Sequence, residues 1–207
     1  MNETTKTECD MKTRRIGVLF GLSGMIIMMY ACNGRTSKKE YELVTEIELI
    51  REGKRLVTVL GCNDCHSSKK MTKYGPVPDE NLLLSGHPMN LEFNPIDTKS
   101  ADWILFSLSG TATFGPWGTS FAANLTPDNT GIGNWTIEQF TRAMREGKYK
   151  GIENGRALLP PMPWVGYKEL KDSEILAMYK YLKSIKPIEN IVPAPIPHSK
   201  FTFANKS

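Results

Sequence analysis

Apolar residues recur at helical spacing in three stretches of the chain. In Tyr41–Leu60 they fall at Leu43, Ile47, Ile50, Val57 and Leu60, which predicts a helix with one apolar face. Gly53 lies in its middle, where glycine costs about 1 kcal/mol relative to alanine and permits close helix–helix contact. Thr136-x-x-Gln139 is a capping box that starts a second helix through Gly147, with Phe140 and Met144 four residues apart. The third, Ser173–Ile185, carries Ile175, Met178 and Leu182 in phase, with Asp172 or Ser173 as its cap, and ends before Pro187. Between the first two, Lys69–Asn94 reads as loop and Trp103–Leu108 is a compact apolar run. Thr111–Ala123 is rich in Thr, Phe and Gly and predicts a short hairpin or small irregular β element. From Lys186 onward, Pro187, Pro193, Pro195 and Pro197 predict an extended arm across the surface.

The N-terminal region follows a different pattern. Met11-Lys12-Thr13-Arg14-Arg15 is positive, and Ile16–Ala31 is a 16-residue, mostly apolar run. That is short for a membrane span, which needs about 20 residues, and right for a signal-peptide core. The run ends in Met29-Tyr30-Ala31-Cys32, which resembles a bacterial lipoprotein cleavage box with Cys32 as the lipidated residue; an uncleaved anchor helix is the alternative. Position 29 is usually leucine in such a box, and Tyr30 is bulky for its place. The expected layout is a signal peptide over 1–31, with Met11 a candidate start because Glu3, Glu8 and Asp10 precede the positive segment. A lipidated N-terminus and polar spacer over 32–44 follow, then a domain over 45–186 and a proline-rich arm over 187–207. Two or more acyl chains on Cys32 make a stable tether.

The chain has 207 residues, 40% hydrophobic and 23% charged, enough for one globular domain with a leader or a large insertion. The formal charge of +4 forms no basic stripe with interleaved aromatics, which excludes a nucleic-acid partner. Cysteines stand at 9, 32, 62 and 65. Cys62-Asn63-Asp64-Cys65-His66 is a C-x-x-C-H motif, the signature of c-type haem attachment. Two thiols three positions apart on a tight turn meet the two vinyl groups of one porphyrin edge, and the adjacent imidazole binds the iron. A thioredoxin-type redox pair, half of a zinc site and a structural disulfide are the competing readings. No further cysteine remains for zinc, His87 and His198 stand far apart, and no βαβ context surrounds the pair.

A second axial ligand is expected for the iron of an electron carrier. Met144 and Met178 sit at helical spacing and read as core. Met162 differs: Pro160-Pro161-Met162-Pro163 is a stiff, extended loop that holds a thioether at a fixed place, which makes Met162 the first candidate. His87 is the second, otherwise a surface loop histidine, whereas His198 in the proline-rich tail does not read as a ligand. The free ring N–H of His66 needs a carbonyl acceptor, and Pro76 is placed at a plausible distance to supply one.

Together these residues resemble a class I cytochrome c. The stretches Asn124-Leu125-Thr126-Pro127-Asp128, Thr130–Thr136, Phe140 with Arg145-Glu146-Gly147, Leu159–Trp164 and Tyr179-Lys180-Tyr181-Leu182 are similar to the cytochrome c domains found with membrane-bound alcohol and aldehyde dehydrogenases. The resemblance covers roughly residues 45–195. It implies an all-α cytochrome c fold with a loop-rich insertion at about 67–130, and axial ligation by His66 and Met162. It also implies that the first helix crosses the last at Gly53, near Met178 and Tyr181. Members of that group often carry two or three haem motifs, and this chain has one.

The expected function is single-electron transfer by one covalent haem c outside the cytosol. The protein would be lipid-anchored and periplasm-facing in a bacterial envelope, between a redox donor and acceptor such as a dehydrogenase or oxidase complex. No acid, base or nucleophile constellation marks an enzyme; Asp128, Glu138 and Glu146 read as solvated charges. The alternatives are a sensory or catalytic haem protein with an open sixth site, and an obligate subunit of a dehydrogenase or respiratory complex. The 111–123 element would cover a haem edge, dock a partner, or only pack.

Overall fold

A computed structural model of the chain describes residues 37–91 and 103–197, the side chains from residue 45 onward. The expected leader over 1–31, Met11, Cys32, the 32–36 part of the expected spacer, residues 92–102 of the insertion and the end of the arm with His198 lie outside the described residues. The chain divides into two units, 1–47 and 48–207, and helix α1 (Ser37–Val59) runs across the boundary. No helix among the described residues is long and apolar enough to cross a membrane.

Three helices build the core of the second unit: the later turns of α1, then α3 (Ile137–Glu146) and α5 (Asp172–Ser184). Leu56 and Val57 meet Phe140 and Met144 from α3 and Ile175, Met178 and Leu182 from α5, all at most 6% exposed. Each such side chain contributes about 1.5–3 kcal/mol by leaving water. Among the described side chains of α1, Leu56 and Val57 are buried and Ile47 is exposed. Gly53 lies at the α1–α5 crossing: a Cβ there would strike the Ala177 carbonyl and the Tyr181 Cβ. The expected crossing is therefore present, one residue from the expected Met178.

The capping box of α3 is formed: Gln139 N–H donates to Thr136 Oγ1 (3.3 Å) and Thr136 N–H to Gln139 Oε1 (2.9 Å). Helix α5 starts one residue earlier than its periodicity indicates. Lys171 flanks it, and the Glu174 carboxylate accepts from the Lys171 N–H at 2.8 Å, so neither Asp172 nor Ser173 is the cap.

The insertion holds more β structure than its composition suggests. Strands β1 (Lys69–Thr72) and β2 (Gly75–Pro78) form an antiparallel hairpin where a loop was expected. Gly75 turns the chain at φ 109°, and Pro76 and Pro78 are tolerated because a two-stranded ribbon has only edges. Strands β3 (Leu105–Phe106), β4 (Ala112–Gly115), β5 (Gly118–Phe121) and β6 (Ile196–Pro197) form a second antiparallel sheet in that order. The β4–β5 hairpin is the element expected at 111–123. Ala112, Phe114 and Thr119 are buried, so the hairpin is part of the interior. The arm is extended as expected, and its residues Ile196 and Pro197 close the sheet against Thr119 and Gly118. The result is a helical domain with a β-containing insertion.

Candidate functional site

The C-x-x-C-H motif is a five-residue helix, α2 (Cys62–His66), entered through Gly61 in the left-handed region at φ 69°. Both thiols are free and partly buried. Burial pushes the Cys62 thiol up to about 11 and raises that of Cys65 as well. Among the described residues no group of three or more His, Cys, Asp or Glu side chains could hold a metal ion by itself.

The buried His66 ring is fixed by a 2.7 Å hydrogen bond between its Nδ1 and the Ala123 carbonyl. A carbonyl only accepts, so Nδ1 carries the proton and Nε2 keeps its lone pair. Burial lowers the pKa of His66 and outweighs the opposite effect of the Ala123 bond, so the ring is neutral at pH 7. A neutral imidazole with its far nitrogen presented is the form that binds a metal. The expected acceptor, Pro76, is not used: it is held in β2 opposite Met71, while another segment reaches the ring. That segment arrives by way of residues 84–87. Gly86 N–H donates to the His66 carbonyl (2.8 Å), His87 N–H to Ala122 (2.9 Å), and Leu125 N–H to Leu84 (2.8 Å). Gly86, at φ 80°, has no room for a Cβ against Ala122 and Ala123. A backbone carbonyl leaves no mark in sequence, but Asn124-Leu125-Thr126 directly after Ala123 does. Asn124 accepts from the Thr126 N–H and donates to the Ile188 carbonyl, which ties this segment to the C-terminal arm.

Met162 is partly buried and packs against the same core cluster as Cys62. Its loop is hooked to the sheet, since Ser120 Oγ donates to the Pro160 carbonyl at 2.7 Å. Helix α4 (Trp164–Tyr167) follows directly. Tyr167, which no sequence pattern singles out, is buried, and its hydroxyl lies 3.4 Å from the Leu60 carbonyl. Burial first, then its closeness to Cys62 and Cys65, pushes its pKa up to about 12, so a neutral phenol stands beside the two thiols. Its number, three after Trp164, puts it on one face of a helical turn, but no motif names it.

The other candidates sort by burial. Met144 and Met178 are in the core, as expected, and two other methionines after His66, Met71 and Met89, are 64% and 41% exposed. His87 is not a surface histidine: it is 1% exposed, with Nδ1 at 2.9 Å from Thr111 Oγ1 and its ring 4.7 Å from that of Phe121. Those partners belong to the insertion, and they hold the ring in the β-rich part of the molecule. The structure thus offers two adjacent thiols, a neutral imidazole with an oriented lone pair and a thioether bordering one apolar cluster. That donor set is one that could hold haem c, with Cys62 and Cys65 as candidates for the thioether links and His66 and Met162 as candidate iron ligands.

The family model described as cytochrome c matches residues 50–186. A nicotinate dehydrogenase subunit from Pseudomonas putida is 41% identical over 86 residues, 41% of this chain and 7% of that protein. The fructose dehydrogenase cytochrome subunit of Gluconobacter japonicus is 36% identical over 100 residues, 47% of this chain and 19% of that protein. The cytochrome c subunit of the quinone alcohol dehydrogenase of Gluconobacter oxydans is 41% identical over 75 residues, 35% of this chain and 15% of that protein. The chain therefore spans less than a fifth of the length of each of these relatives.

Proposed function

The chain belongs to the cytochrome c family, and from that membership we propose that it is a mono-haem carrier of single electrons with His66 and Met162 as axial ligands. The observation that supports the reading most is the 2.7 Å bond from His66 Nδ1 to Ala123, which orients Nε2 as a ligand one residue beyond an attachment cysteine. Bound haem c supplies a one-electron couple. What the polypeptide supplies is attachment, orientation and a dry surround. Cys62 and Cys65 hold the group, Ala123 holds the proximal ring, and the Pro160–Pro163 loop holds the Met162 thioether. The one C-x-x-C-H motif in the sequence supports a single haem.

The carrier works outside the cytosol as a lipoprotein tethered through Cys32, facing the periplasm. The short apolar run ending at Ala31-Cys32 supports this, together with the extracytosolic setting of haem attachment. A dehydrogenase is the favoured electron donor, because several similar proteins are named as cytochrome subunits of dehydrogenases. Such a partner makes the chain an electron-transfer subunit with no catalytic constellation of its own.

The test is an optical and magnetic spectrum of protein matured in a host that attaches haem c. The expected result is low-spin iron with a methionine–ferric band and colour that survives acidified organic solvent. High-spin iron that binds carbon monoxide rapidly when reduced would establish the sensory or catalytic alternative instead. Co-purification with a dehydrogenase, and labelling of Cys32 by a fatty-acid probe, check the partner and the tether.

A further inference from the structure

Lys69 lies three residues past His66, in β1, and its side chain turns back onto the attachment helix. Its Nζ donates to the carbonyls of Ser67 (2.7 Å), Asp64 (2.8 Å) and Asn63 (3.1 Å). An ammonium has three N–H groups, so all of them are spent on the backbone of the C-x-x-C-H turn and the residue after it. Gly110 closes this nest: a Cβ there would come within 3.1 Å of the Asp64 carbonyl and 3.3 Å of Nζ. Neither ion pair among the described residues, Arg55–Glu52 or Arg145–Asp172, uses Lys69. Its charge is therefore met by carbonyl dipoles and not by a carboxylate in contact.

Resting on the reading of Cys62–His66 as the haem attachment site, we propose that Lys69 is a positioning residue that clamps this turn and sets a fixed positive charge beside the proximal ligand, raising the reduction potential. The clamp follows from the three bonds, which tie the Asn63 and Asp64 carbonyls within α2 to that of Ser67 just beyond it. The effect on potential follows from Coulomb's law. A positive charge disfavours the state with one more positive charge at the iron, which is the oxidised one. Lys69 is half-buried, which limits screening of its charge.

Midpoint potentials of the haem-bearing full chain separate the two roles. Lys69→Gln keeps an amide donor without charge, Lys69→Arg keeps charge with a different shape, and Lys69→Met removes both. The expected result is a midpoint lowered to a similar extent in Gln and Met, and close to wild type in Arg. Reduced haem attachment is expected in Met alone. A Gln or Met midpoint equal to wild type, or an Arg midpoint displaced as far as Gln, overturns the proposal. So does a failure of all three variants to take up haem, which would leave only a structural role for Lys69. A wild-type chain that carries no covalent haem refutes the attachment reading itself.

Discussion

The turn that ends in His66 is held by contacts from nearby in the chain and its ring by one distant carbonyl, whereas the Met162 loop depends on a hook from 40 residues before Pro160. On the His66 side, Lys69 binds the turn from three residues away, and Ser67 Oγ donates to Asn63 Oδ1 at 2.9 Å while accepting from the Leu84 N–H. The most distant element is the Ala123 carbonyl. On the Met162 side the loop carries few hydrogen bonds of its own, because prolines at 160, 161 and 163 donate none. What fixes it is Ser120, nearly buried, whose hydroxyl donates to Pro160 and accepts from Trp117 Nε1 at 3.3 Å. The β4–β5 hairpin is thus the platform for the methionine loop, and the arm strand β6 braces β5 from its other edge. On one side the turn itself is built from neighbours in the chain, with the insertion supplying the ring acceptor Ala123. The other is assembled from the insertion and the C-terminus, and should yield first.

The largest effect tests whether the local side carries the attachment. Cys62→Ala with Cys65→Ala should abolish covalent haem completely, with any pigment lost to acidified organic solvent. Retained covalent colour would refute the site. Met162→Ala should act on the other side alone: attached haem stays near wild-type yield, but the methionine–ferric band disappears and the ferrous form binds carbon monoxide. An intact sixth ligand in this variant would move the ligand assignment elsewhere.

Ser120→Ala is a milder break of the same side. It removes the hook to the Pro160 carbonyl, worth about 0.5–1.5 kcal/mol, along with the longer bond accepted from Trp117 Nε1. If that energy restrains the thioether, the alkaline pH at which methionine is displaced should fall by roughly half a unit to one unit. Ser120→Thr should restore most of it. An unchanged displacement midpoint would mean that the prolines alone hold the loop.

The same division decides how much could be read from sequence. Cys62, Cys65 and His66 were legible because their chemistry requires fixed spacing, and the family match over 50–186 bears out the resemblance those residues carried. Gly53 was legible because a glycine inside a helix has a packing cost that only close contact offsets. Ala123 was not, since a main-chain acceptor has no residue type, and the 57 positions separating it from His66 hide the pairing. Lys69–Pro78 was misread for a related reason: two prolines and a glycine suggest loop, yet all three suit a two-stranded ribbon. Ser120 and Tyr167 were invisible because their importance comes from what the fold sets beside them.

His87 gives the smallest effect and the last check on the comparison. Its burial against Thr111 and Phe121 lowers its pKa, with desolvation as the main cause. The folded protein therefore keeps this ring neutral at a pH where the unfolded chain, with a pKa near 6.5, binds a proton. Below pH 6.5 the unfolded state holds more protons than the folded one, so stability is full above that pH and falls as acid is added. Replacement by glutamine should flatten this part of the stability–pH curve, measured by denaturant unfolding of the haem-bearing chain between about pH 5 and 7. The same variant should leave the visible spectrum of the ferric protein unchanged, because Thr111 and Phe121 hold the ring within the insertion. A spectrum that changed with His87 and not with Met162 would reverse the distal assignment. The hook from Ser120 to Pro160 would then be a packing contact with no bearing on the iron.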